Sequence, residues 1–544
     1  MKLKFLFSFL FAGALTVSAQ QGYKDGIEYF RADQPEEAEI ILKRTLNDAA
    51  TDKAEAYYHL GQIELQKGNV AEAKSYFDKG IAANAQNPNN YIGLGMIELK
   101  NGNKSGAEAQ FKAARELDKK SPIIAVEIAR AYFNANPATY AKEIEKNIAD
   151  AKKLSKKEAT PAIYILEADM LAPTNVGDAA GYYEMASSFD PDTKHPEAYV
   201  KYARTYFTVN PQYSIDKLKA LLEKQPNSAL AQRELAEKYY ESDRLTLAAE
   251  QYGNYIANPN HFKKDEIRYV ALLYFGKKYQ ESFDLAGKIL AEDPGNIYMQ
   301  RMQFLDMEAM NRPEEAVKYA EIFFNNPEAK GKIVPNDFTT YGDALQALGQ
   351  DTLAAAQFEK AVELAPEKVA LLKDLSGAYT KAKMYREAAE AYRKYCETDE
   401  ATTNDIFMLA RRYQNVAATE EPDSPEKAAA VENALKYVDI ALERVPDNAT
   451  IALTKARILF VKNNNVPDQA TVDAYLAGLQ LLDKDPENTT KRKSDYVNAY
   501  NQIANFYLNQ KDIENAKVYF NKFLEVDPTN DALRQFVENL NNQK

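Results

Sequence analysis

A pair of small residues twelve positions apart recurs about every 34 residues along most of this chain, and few folds accommodate such a pattern. The clearest pairs are Gly61 with Ala73, Gly95 with Ala107 and Gly342 with Ala354, each followed four residues later by Phe77, Phe111 or Phe358. Counting the weaker copies, whose first positions include Ala129, Ala168, Ala203, Ala236, Val270 and Phe304, gives fourteen units. The second position is alanine in twelve of the fourteen, and only Ile215 and Ser282 break the series. A tyrosine follows the first small residue by three in seven units, as at Tyr132, Tyr206 and Tyr239. Prolines such as Pro294, Pro366 and Pro528 close units where a helix cannot continue.

Two antiparallel helices joined by a short turn such as Lys67-Gly68-Asn69 bury a tight seam only where small side chains meet at the crossing. The tyrosine and the aromatic residue farther on then fill the gap toward the next hairpin, so each unit needs a neighbour to complete its core. With 21 Gly and 22 Pro in 544 residues, the chain is also too poor in turn formers for an all-β protein.

These residues make the sequence similar to the tetratricopeptide repeat proteins over about residues 22 to 530. The resemblance implies an all-α, right-handed superhelical solenoid of about fourteen hairpins. The family's early tryptophan is missing, with Tyr57 and Tyr91 standing in two of its places. Beyond Pro528, Leu533, Phe536, Val537 and Leu540 share one face of a last helix that reads as a C-terminal cap.

Interruptions divide the expected solenoid into blocks at 20–158, 159–330 and 331–544. A long second helix is expected from Thr139 to Lys157, a loop from Asn325 to Asn336, and an exposed acidic excursion at 420–425. Ahead of the blocks, Lys2 and Lys4 precede an apolar run from Phe5 to Val17 and the small residues Val17-Ser18-Ala19. Residues 1–19 therefore read as a signal peptide cut after Ala19, of the kind that exports proteins in Gram-negative cells. No cysteine follows the cut to carry a lipid, and no integral membrane segment is expected after its removal.

Little in the chain suggests catalysis. Three histidines, His59, His195 and His261, lie in separate units, and Cys396 is the single cysteine, so neither a metal site nor a cofactor is expected. Cys396 itself reads as a buried helix thiol. Gly93-Leu94-Gly95 lacks the third glycine and the strand of a dinucleotide fingerprint. A formal charge of −12 disfavours a nucleic-acid partner.

In the family, the first helices line a concave groove. Its clamp for a partner's terminal carboxylate is not matched here, because Lys373 is followed by Gly377 and Asn505 is preceded by Asn501. A different set stands near the small positions: Arg130, Phe133, Lys201, Arg204, Phe207, Arg233, Tyr240, Arg268 and Tyr274. These form a candidate site for an extended acidic or aromatic peptide segment. The competing reading packs the aromatics into the solenoid and pairs the arginines with neighbours such as Asp169 and Glu237. Separately, Asp351-Thr352-Leu353, expected in the turn between two helices, resembles an acceptor triplet for O-glycosylation after export, with Thr352 modified.

The expected function is a non-enzymatic scaffold holding a protein or peptide partner in the periplasm or at the outer membrane, with assembly or secretion as the setting by family analogy. The alternative is a surface protein that binds glycans through a helical-repeat fold.

Overall fold

The computed structural model describes residues 22–156 and 160–542; the expected signal peptide lies outside them. Every regular element among the described residues is helical, and the helices form fourteen consecutive hairpins followed by a last helix, Asp531–Asn542. By contact, the chain separates into a half ending at Pro294 and a half beginning at Gly295. The first half holds hairpins one to eight, and the second holds hairpins nine to fourteen with the cap.

The second hairpin shows how the repeat works. Helix Lys53–Lys67 starts where the Asp52 side chain accepts from the Ala54 and Glu55 N–H groups, and it stops at Gly68, whose φ of 87° suits glycine. Helix Val70–Ala83 returns with Ala73 and Phe77 buried. A Cβ placed on Gly61 would fall 2.4 Å from the Phe77 ring, and one on Gly93 of the next hairpin would fall equally close. Phe77 is thus held between glycines of two successive first helices. Gly95 with Phe111 and Gly342 with Phe358 repeat the arrangement, at 2.3 and 2.6 Å. The glycine and the phenylalanine are one device, since the ring fits only where the facing helix lacks a side chain.

Two seam positions fall elsewhere than expected. Ala141 is exposed, and Ile144, 2% exposed, takes the seam of the fourth hairpin. Ala73 and Ala107 are each the fourth residue of their helix, and so is Ile144, because helix Ala141–Leu154 starts late. In the thirteenth hairpin Val472, fourth in Gln469–Leu482, is buried, whereas Ala474 is only half-buried. Distance from the helix start sets the register, so an inserted turn residue displaces it. The long helix expected from Thr139 is likewise shorter, because the Asn136 side chain accepts from the Thr139 N–H within the preceding turn.

Most hairpin turns end on a left-handed residue, and several are not glycine: Lys277, Lys383 and Lys511 have φ near 60°. That conformation costs L-residues about 1 kcal/mol. Lys383→Gly is therefore expected to stabilise its half by about 0.5–1 kcal/mol in urea denaturation, after the added freedom of the unfolded glycine is subtracted.

In the second half, the excursion at 420–425 is less a loop than an elongated hairpin, formed by Thr403–Thr419 and the 20-residue Pro425–Arg444. Glu420 is tied to Arg386, and Asn464 bonds both Asp423 and Lys427. The segment 325–336 contains a short 3-10 turn, Pro327–Ala329, and ends where Pro335 opens the next helix. Asn326 fastens it to the Gly295 carbonyl and to Gln300. The last helix buries Val537 and Leu540, while Phe536 is 41% exposed and meets Phe520 edge-on. Cys396 is half-buried, with Sγ 3.6 Å from the Asp405 carbonyl, and burial beside Asp405 pushes its thiol up to about 11.

Candidate functional site

In the N-terminal half, the first hairpin does more than start a stack. Its helices, residues 22–31 and Pro35–Thr45, share one core with the first helix of hairpin two, both helices of hairpins six and seven and the first helix of hairpin eight. Tyr29 is fully buried and meets Phe262 edge-on at 5.3 Å. Around this apolar contact runs a polar seam between residues about 200 positions apart. Ser228 Oγ donates to Glu28 at 2.8 Å, and Asn260 Nδ2 donates to Asp25 at 2.6 Å while its carbonyl accepts from Arg44. Gln34 donates to Glu234, and Lys264 donates to Glu37 at 2.8 Å.

Several expected groove residues serve this closure. Arg204 forms a fork on Glu234, with Nε 3.0 Å from Oε2, and gives Nη1 to the Ala32 carbonyl at 2.6 Å. Arg233 pairs with Asp265 at 2.8 Å, donates to Gln34 and lies over the Phe262 ring. Lys201, 7% exposed, bridges Asp33 at 3.0 Å and Asp169 at 2.8 Å. Arg130 joins it on Asp169 at 2.6 Å, and Tyr183 donates to the same carboxylate. Phe133 is half-buried between two clusters of the core.

The remaining candidates sit apart from the seam. Phe207 lies beneath the Lys238 ammonium, 4.5 Å from its ring centre. Tyr240 is 43% exposed with Arg268 over its ring, and Arg268 also pairs with Glu237. Tyr274 contacts the rings of Phe275 and Tyr279. The pairings expected with Asp169 and Glu237 are thus both present. Outside this half, Thr352 is exposed in the first turn of Asp351–Leu364 and not in the preceding turn.

Beside the seam lies a chamber of about 520 Å³, within the size range of small-molecule sites. The first hairpin contributes Phe30, Arg31 and Asp33 to its wall, and hairpins two to six supply the rest. Asp169, Arg130 and Lys201 form a saturated cluster on one side. Opposite charges so closely paired hold the Asp169 carboxyl below the usual range despite its burial.

His59, Glu197 and Glu28 were invisible as site residues in the sequence, where each stands on a helix without a motif. Burial and the nearby Arg31 charge hold His59 down to about 3, so its ring is neutral. Burial opposes ionisation of Glu197, yet His195, 3.1 Å away, and Arg31 bring it down to about 2.

Glu28 behaves in the opposite way. Burial, reinforced by Asp25 and Glu197, pushes it up to about 8, against the Ser228 hydrogen bond and Arg31. An acid whose folded value exceeds its unfolded value stabilises the fold at low pH and loses that contribution as pH rises through the folded value. The closure is therefore expected to loosen between about pH 5 and 8, with the Glu28 contribution itself constant below that window. Hydrogen exchange at 228–265, corrected for intrinsic rates, measures it, and Glu28→Gln should flatten the profile.

Tetratricopeptide repeat patterns match residues 54–87 and 497–530, and a second pattern of the same repeat family matches 341–405. No curated protein matches the chain significantly. Among solved structures, the C-terminal part of a TPR repeat-containing protein from Cytophaga hutchinsonii is 19% identical, covering 49% of this chain and 98% of that one, with a TM-score of 0.38. A thermophilic TPR protein from Thermus thermophilus is also 19% identical, covering 38% of this chain and 98% of that one at a TM-score of 0.25. The Cut9–Hcn1 hetero-tetramer of APC/C gives 13% identity over 89% of this chain and 96% of that chain, with a TM-score of 0.27. With its seams of small residues, its consecutive antiparallel hairpins and three matched segments spread from the second hairpin to the last, this chain carries tetratricopeptide repeats within a continuous helical repeat fold.

Proposed function

We propose that this protein is a non-catalytic interaction scaffold that binds a segment of a partner protein along first helices of its N-terminal half, in the envelope of a Gram-negative cell. The observation that carries the binding position is the division of labour along that wall. Arg204 and Arg233 are consumed by the first hairpin, whereas Arg268 is half-exposed and stands over Tyr240. A guanidinium stacked on an exposed aromatic ring offers a forked donor for a carboxylate beside a surface for apolar burial. The partner segment is therefore acidic and aromatic, and it docks at Tyr240, Arg268 and the neighbouring Phe207 and Tyr274.

Export rests on the residues at 1–19, and among the described residues no helix is long and apolar enough to cross a membrane. Outer-membrane assembly or secretion is the setting in this reading, and Thr352 is the glycosylated position. N-terminal sequencing of the native protein should find Gln20 first. Affinity purification from envelope extracts, followed by mass spectrometry, should retain a partner that Tyr240→Ala combined with Arg268→Glu releases. Equal retention by the double variant would move the docking site elsewhere, and a mature chain that keeps Lys2 would remove the export reading. Replacing Arg204 and Phe207 is a poorer test, because loss of Arg204 also breaks the closure.

A further inference from the structure

The chamber wall divides into groups that are already bonded and groups that are not. Asp169 has three donors, and the two cations that serve it have no need of another anion. Other groups of the wall are unspent. Both ring nitrogens of His59, Oε1 of Gln62 and Oε2 of Glu197 are buried without a well-formed hydrogen bond, Gln62 being a polar neighbour of the His59 ring. All three residues line the chamber and are at least nine-tenths buried. Arg31 lines it too, makes no close ion pair, with Glu55 3.9 Å away, and feels the charges of Glu197 and Glu127. Buried polar atoms left in this state are costly, and a native fold usually keeps such a set for a purpose.

The unspent groups have a definite chemistry. Neutral His59 supplies one acceptor and one donor, Gln62 and Glu197 supply one acceptor oxygen each, and Arg31 supplies a cationic fork. Three acceptors, one of them charged, match the three N–H bonds of a primary ammonium. The guanidinium matches a carboxylate. Phe30, Phe133 and Ile165 complete the lining with apolar surface.

We propose that the chamber binds a small zwitterion, a free α-amino acid or a dipeptide, with its ammonium on Glu197, Gln62 and His59 and its carboxylate on Arg31. A neutral sugar would offer Glu197 and Arg31 hydroxyl groups in place of opposite charges, and a phosphate would face Glu197. The assignment is independent of partner docking at Tyr240 and Arg268. Because Phe30 and Arg31 belong to the first hairpin, the ligand would also bridge that hairpin to hairpins two and six, and its binding would raise the melting temperature of the N-terminal half.

Calorimetry and thermal melting of the full chain with L-leucine, L-phenylalanine and the dipeptide of the two test the assignment. N-acetyl-leucine, leucinamide, glucose and inorganic phosphate serve as comparisons. Binding of a zwitterion is expected, weakened about tenfold or more by N-acetylation, by amidation, by Glu197→Gln or by Arg31→Gln. The ligand comparisons keep the proposal testable should either variant fold poorly. Absence of binding at millimolar concentration, equal binding of the acetylated and amidated forms, or preference for glucose or phosphate would overturn it.

Discussion

Phe77→Ala should cost the N-terminal half about 3–5 kcal/mol, the range for emptying a buried aromatic site. The value belongs near the top of that range, because the ring lies against Gly61 on one helix and Gly93 on the next. Neither glycine has a side chain that could move into the gap, so the cavity cannot collapse without moving backbone. Urea denaturation followed by circular dichroism measures the loss. Gly61→Leu approaches the same seam from the other side and should also destabilise strongly, since a Cβ at that position already overlaps the ring. A loss below about 1 kcal/mol for Phe77→Ala would mean that the two hairpins repack freely.

Tyr29→Ala should have an effect of similar size with a different distribution. Tyr29 is fully buried against Phe262, so truncation removes an aromatic anchor from the closure. In an open repeat array a change in the first hairpin is felt mainly by its neighbour. Here it should accelerate hydrogen exchange in two stretches at once, 22–45 and 228–265, because Ser228, Asn260 and Phe262 all lean on the first hairpin. Exchange confined to 22–45 would show that hairpins six to eight do not depend on the contact. Asn260→Ala, which removes the bridge between Arg44 and Asp25, should reproduce the pattern more weakly.

Several features of the fold were legible because they are local. The spacing of Gly61 from Ala73 reflects the crossing of two helices within a single hairpin, and a 34-residue window contains everything that decides it. Register was legible only where the turn kept its usual length. One displaced helix start moved the fourth seam from Ala141 to Ile144. The candidate wall was partly legible: the positions after the small residues were found, but their partners were not. Arg130 and Arg268 meet Asp169 and Glu237 on neighbouring hairpins, a separation within reach of the repeat. Arg204 and Arg233 pair with Glu234 and Asp265 at the same separation, but they also meet Ala32 and Gln34, which no periodicity connects to them.

By itself, then, the sequence determined the helical hairpin, the number of its copies and the small residues at most seams, because contacts within one repeat and with the next recur at fixed spacing. Only the tertiary structure decided that the first hairpin closes against hairpins six to eight, and that His59, Gln62, Glu197 and Arg31 face one chamber. Those contacts depend on small rotations accumulated from one repeat to the next. Such rotations leave no signature at any single residue, and they bring together side chains that are unremarkable on their own helices.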